Sequence, residues 1–167
     1  MKRKYCNHYE ETAEIHAPAQ EVFLFADNHH NLSSHMNTSS GMMGGGKMIT
    51  KTDDGKGQKL GSHIMMTGEA FGINVSLDEV ITIHDIPTHK EWETVGKITL
   101  VIIDHYALGF TITPHKSDSQ LTVYIDYNLP KSWKTKWLGF LLGDVYAKWC
   151  VRQMIHGVQE HFEKRGD

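Results

Sequence analysis

Histidine is the side chain best suited to acid–base work near neutrality and to holding a metal, and this chain has twelve in 167 residues. Their spacing argues against both uses. His30 and His35, His84 and His89, and His156 and His161 each stand five apart, so no pair shares one helix face. No H-x-H, H-E-x-x-H or C-x-x-C is present, and the sequence therefore predicts no metal site and no cofactor. Nucleophile motifs are also missing. There is no G-x-S-x-G elbow, Cys6 and Cys150 lack a recognisable catalytic setting, and "MMGGGK" lacks the spacing of a phosphate loop. One polar residue stands out in "LVIIDHYALGF". Strict alternation puts Leu100, Ile102, Asp104, Tyr106, Leu108 and Phe110 on one face. An aspartate on that apolar face would hold its proton more tightly and could act as acid or base. If the strand instead begins at Asp104 or His105, the carboxylate sits in a turn. Asp104 and His35 are the catalytic candidates.

The elements that must position such groups follow from periodicity. Tyr5, Tyr9, Ala13 and Ile15 alternate with polar neighbours as a half-buried strand. "HAPAQEVFLFADN" reads as a short helix with Pro18 in its first turn and Val22, Phe23 and Ala26 inward, and "HHNLSSHM" adds a further helical turn. From Met42 the period becomes two, with strands expected at 42–52, 58–70, 73–84, 88–95, 104–113 and 120–128. Short separators such as "DDGKG" and "DIPT" carry turn chemistry and imply antiparallel hairpins. The class is α+β, with helices on one face of an antiparallel sheet.

Residues 130–164 read as a long closing helix. At about 100° per residue, Ala147, Cys150, Val151, Met154, Ile155, Val158 and Phe162 form one stripe for the sheet. The first half is apolar all round, through Trp133, Trp137, Leu138, Phe140, Leu141, Leu142, Val145 and Trp149. Such a segment should be covered on both sides, whether by the short helices, a ligand groove or a partner. Gly139 and Gly143 each weaken it by up to about 1 kcal/mol, so a kink or break is expected there.

Composition narrows the classes. A formal charge of −3 and a pI near 6.4 give no basis for nucleic-acid binding. Free thiols and the lack of an apolar leader behind "MKRKYCNHYEE" fit a cytoplasmic protein. "WLGFLLG" is far short of the roughly 20 apolar residues that span a bilayer. The length and the absence of a linker imply a single domain over 1–167.

Four stretches together resemble the SRPBCC superfamily, the helix-grip fold shared by START lipid-transfer domains, pollen-allergen-like proteins and polyketide cyclase/dehydrase-like proteins. They are "IHAPAQEVFLFADNHHNL", the hairpin "GSHIMMTGEAFG" with "SLDEVITIHDIPTHKEWETVG", "HYALGFTITPHKSDSQLTVYIDYNLP", and the closing helix. Their order and spacing carry the resemblance more than any single motif. It implies a seven-stranded antiparallel sheet wrapped round the long C-terminal helix, two short helices after the first strand, and an internal cavity. The function it implies is binding or transport of a small hydrophobic molecule, the alternative being a polyketide cyclase or dehydratase-like enzyme. Expected cavity residues are Met66, Phe110 and Tyr127 from the sheet and Ala147, Cys150 and Met154 from the helix. Tyr106, Tyr127 and His35 are expected as polar contacts. Separately, Lys131, Trp133, Lys134, Lys136 and Trp137 suit transient contact with a membrane interface. The apolar helix start would also serve a homodimer.

Overall fold

The computed structural model describes residues 4–34, 45–132 and 136–164. His35, Trp133, Lys134 and the expected strand residues 42–44 lie outside them. The order is β1 (Asn7–Ile15), α1 (Ala19–Asp27), α2 (His29–Leu32), β2 (Met48–Thr52), β3 (His63–Ala70), β4 (Ile73–Asp85), β5 (His89–Thr99), β6 (Tyr106–His115), β7 (Asp118–Tyr127) and α3 (Lys136–Glu163). One seven-stranded sheet runs β1-β7-β6-β5-β4-β3-β2, antiparallel at every step. Strands β2 to β7 form a meander, and β1 returns to the edge beside β7, pairing Ile15 with Ser119 and Asn7 with Tyr127.

Alternation sets the register. In β7, Leu121, Val123, Ile125 and Tyr127 are buried while Thr122, Tyr124 and Asp126 stand between them. The β4–β5 ladder carries two register shifts, between Ser76 and Asp78 and between Ile81 and Ile83. Such irregularities bend a strand and increase its twist. Strand β5 pairs with β6 only from His89 to Glu93, then continues along β4 to the Ser76–Thr99 pair. The sheet therefore parts beyond Glu93, and the segment Val101–Ile103 fills the opening with three consecutive buried side chains. Asp104 N–H donates to Asn128 O at 2.8 Å and Asn128 N–H to His105 O at 3.0 Å, which ties this segment to the end of β7.

Helix α1 buries Val22, Phe23 and Ala26 as its spacing predicts, and Phe23 meets Phe110 edge-on at 5.5 Å between ring centroids. Asn28 caps the single turn α2 through a bond from His30 N–H at 3.1 Å. The α3 stripe from Ala147 to Phe162 is buried as expected. Phe25 of α1 stacks on His161 at 3.9 Å, so the short helices cover the later half of α3. Among the described residues no helix is long and apolar enough to cross a membrane.

No break occurs in α3; the helix is continuous from Lys136 to Glu163. Gly139 and Gly143 instead face inward at close approach. A Cβ on Gly139 would run into Pro130 Cδ and stand 3.0 Å from Ile102 O, and one on Gly143 would stand 2.6 Å from Leu129 Cδ2. These glycines let the helix sit directly against the strand-end segments. Gly→Ala inside a helix normally gains about 1 kcal/mol. At Gly139 the sign is expected to reverse, with a loss of about 1–3 kcal/mol from overpacking. Thermal denaturation of Gly139→Ala checks this; a raised midpoint would contradict the close contact.

Candidate functional site

Between the concave face of the sheet and α3 lies a cavity of about 60 Å³. Met66, Leu77, Trp92, Leu108 and Ile125 project into it from the sheet. Tyr146, Cys150 and Met154 close it from α3, Leu32 and Ser33 from α2 and its end, and Leu100 and Ile103 from the segment that fills the sheet opening. The walls are apolar except at one end, where His29, Ser33, Glu79 and Tyr106 meet. A second void of about 30 Å³ shares Leu100, Ile103 and Tyr146 with the first and reaches Phe71 and Ile102.

Glu79 is the chemical centre of that polar end. It occupies an alternating β4 position between buried Leu77 and Ile81, so its carboxyl is carried into the core by the register of the strand. Tyr106 O–H donates to Glu79 Oε1. Oε2 makes no hydrogen bond of normal geometry, and His29 Nε2 stands 3.9 Å from it. Burial pushes the carboxyl up from 4.5 to about 7, against the hydrogen bonds from Tyr106 and Trp92, which favour the ionised form. Glu79 therefore changes charge in the neutral range. Ser33 Oγ is also buried and has no hydrogen-bond partner among the described residues. Burial lifts Tyr106 well above its usual range, so its phenol remains a donor. The Cys150 thiol is pushed up to about 12 by burial, which makes it a wall residue and a poor nucleophile.

A second buried polar group sits one strand away. Lys90 Nζ donates to Asp27 O at 2.6 Å and to Asp27 Oδ1 at 2.7 Å, and His84 Nε2 bonds the same Oδ1 at 2.8 Å. Burial pulls the ammonium down from 10.5 while Asp27 holds it up. This trio fastens the end of α1 to β4 and β5 and does not line the cavity.

Of the expected site residues, Met66, Tyr106, Cys150 and Met154 line the cavity. Phe110 packs against Phe23, Tyr127 points its O–H toward Asp144 at 3.4 Å, and Ala147 is buried in the helix stripe, so these three lie outside the lining. Asp104 does not share the face of Tyr106. Strand β6 begins at Tyr106, and Asp104 lies before it, bonded to His105 Nδ1 at 3.0 Å. Glu79 is absent from the residues expected from the sequence, although it stands as a charged residue inside the alternation Val75, Leu77, Glu79, Ile81, the same signal that Asp104 carries. Among the described residues no cluster of three or more His, Cys, Asp or Glu side chains is arranged to hold a metal ion.

Solved structures share this architecture. An aromatase/cyclase from a Streptomyces species superposes with a TM-score of 0.71 at 12% identity, over 96% of each chain. The chain has the helix-grip fold. Norcoclaurine synthase from Thalictrum flavum matches with a TM-score of 0.66 at 11% identity, again over 96% of each chain. A protein from Thermus thermophilus matches with a TM-score of 0.66 at 13% identity, over 96% of this chain and all of the other. No protein-family model matches the sequence, and no curated protein is similar to it. At such identities the likeness is one of fold, and helix-grip proteins differ in function through their cavity residues.

Proposed function

We propose that this protein binds a small, largely apolar molecule between the sheet and α3, with a polar group of the ligand turned toward Glu79. The observation that carries this reading is an apolar cavity whose lining holds a buried carboxyl, Glu79, and a buried hydroxyl, Ser33 Oγ, for which the described residues offer no hydrogen-bond partner. Leaving such an atom buried and unsatisfied costs about 1–3 kcal/mol, which a ligand hydrogen bond would offset. At about 60 Å³ the cavity is well below the 300–1,000 Å³ of a typical ligand pocket, so binding requires side chains to move. Met66 and Met154, unbranched and on opposite walls, are suited to that movement.

A second reading has its own support. A carboxyl that titrates near 7 beside a phenol is matched to general acid–base catalysis at neutral pH. Two structural neighbours, an aromatase/cyclase and norcoclaurine synthase, are named as enzymes. Under this reading Glu79 moves a proton on a substrate in the same cavity, Tyr106 orients the carboxyl, and the reaction is a cyclase- or dehydratase-like step.

Native mass spectrometry of freshly purified protein, followed by organic extraction, tests both. A retained apolar molecule is expected, and Met154→Trp is expected to abolish its uptake while leaving the circular dichroism unchanged. Return of an added molecule unaltered identifies a binder; return altered by loss of water or by ring closure identifies an enzyme. Unchanged uptake in Met154→Trp would place the ligand outside this cavity.

A further inference from the structure

The first turns of α3 present an apolar stripe to solvent. Trp137 is 57% exposed, Phe140 79%, Leu141 60% and Val145 50%, at the spacing of one helix face. Their opposite face carries Gly139 and Gly143 against Pro130, Ile102 and Leu129, so the stripe cannot turn inward without lifting the helix off its seat. Large apolar side chains grouped in this way mark an interaction surface. The local charge indicates what it meets. Lys136 directly precedes Trp137 at the start of α3, Lys131 stands five residues earlier in the chain, and both are exposed. Asp144 lies near its far end and is paired with Lys148 at 2.8 Å. From Lys131 to Lys148 the sequence thus holds four lysines against one aspartate, in a chain whose formal charge is −3. A tryptophan and exposed aliphatics beside lysines fit the boundary between acyl chains and anionic headgroups.

We infer that the start of α3 docks on the surface of an anionic membrane. Trp137, Phe140 and Leu141 enter the headgroup layer, and Lys131 and Lys136 meet the lipid phosphates. Docking here would bring the bilayer to one end of the cavity. The second void includes Ile102, whose carbonyl is part of the seat of Gly139, and shares Tyr146 with the main cavity. The docking itself does not depend on whether the cavity carries a ligand.

Co-sedimentation with vesicles tests the inference, using phosphatidylcholine alone and phosphatidylcholine containing phosphatidylserine. Binding is expected only with phosphatidylserine and should weaken as salt is raised. Each lysine near an anionic surface contributes about fivefold in affinity, so Lys131→Glu with Lys136→Glu is expected to weaken binding by about 25-fold or more. Phe140→Ser with Leu141→Ser should abolish it. All four side chains are exposed, and circular dichroism of both variants should match the parent. The inference is overturned if the parent stays in the supernatant with phosphatidylserine vesicles, or if it binds neutral vesicles equally well. Sedimentation that persists in both variants would also overturn it. A dimer in analytical ultracentrifugation that Phe140→Ser dissociates would show that a second copy of the chain covers this face instead.

Discussion

Replacing Lys90 by alanine is expected to destabilise the protein by about 3–5 kcal/mol, the range for removing one partner of a buried ion pair. The ammonium is fully buried and donates to both the carbonyl and the carboxylate of Asp27. Without it, the Asp27 carboxylate keeps only the bond from His84, and the Asp27 carbonyl loses the Lys90 donor in a buried setting. The damage should centre on the end of α1, since these bonds join that helix to β5 and β4. Urea unfolding measures the loss. A double variant, Lys90→Met with Asp27→Asn, removes the charge from both sides and should recover most of it. A loss under 1 kcal/mol for Lys90→Ala would mean that His84 alone satisfies Asp27.

Replacing Glu79 by glutamine is expected to stabilise the protein at pH 8 relative to the parent and to do so much less near pH 4.5. The folded carboxyl titrates near 7 against an ordinary 4.5, so the folded state holds the proton more tightly than the unfolded chain. The stability that this preference contributes is fully present below pH 4.5. It is lost as pH rises from there through 7, after which both states are ionised. A shift of this size amounts to about 3 kcal/mol between the two limits. Glutamine is close in shape, keeps an acceptor for Tyr106 O–H and has no charge to desolvate. Other titrating groups are common to both proteins and cancel in the difference. Urea midpoints of parent and variant across pH 5–9 would show a widening gap. A gap that does not change with pH would mean that Glu79 is already solvated or ionised across the range.

The same two residues show why the site was harder to read than the fold. Lys90 and Glu79 both occupy core-facing positions of strands, Glu79 between Leu77 and Ile81 and Lys90 two residues before Trp92. Charged residues at such positions resemble ordinary interruptions in one strand alone. Glu79 becomes part of a site only when β4, β5, β6 and α2 bring Glu79, Trp92, Tyr106 and His29 together, whereas Lys90 fastens α1. Asp104 carried the same kind of signal and had the opposite outcome. The alternation through Leu100, Ile102 and Asp104 depended on a continuous strand, whereas the chain leaves β5 at Thr99 and re-enters the sheet only at Tyr106. Phe110, Tyr127 and Ala147, expected in the cavity wall, are buried but lie outside its lining. Nothing in periodicity distinguishes a side chain packed against a neighbour from one that lines a void, because that depends on how neighbouring elements meet.

Local rules were sufficient for the elements themselves. Period-two alternation marked the strands from β2 to β7 and, before the helices, β1, while the α3 stripe from Ala147 to Phe162 followed from the helical period. These patterns are properties of consecutive residues and need no knowledge of partners. Contacts between distant segments decided the rest: the close seating of α3 at Gly139 and Gly143, the parting of β5 from β6, and the outward face of Trp137, Phe140 and Leu141. Glycine's missing side chain means flexibility in an isolated helix and close contact in a packed one, and only the surface opposite decides which. Sequence by itself thus determined the strands, the helices and their inward faces. Tertiary structure decided which inward residues meet Glu79, because the cavity is formed by side chains that come together from separate strands and helices.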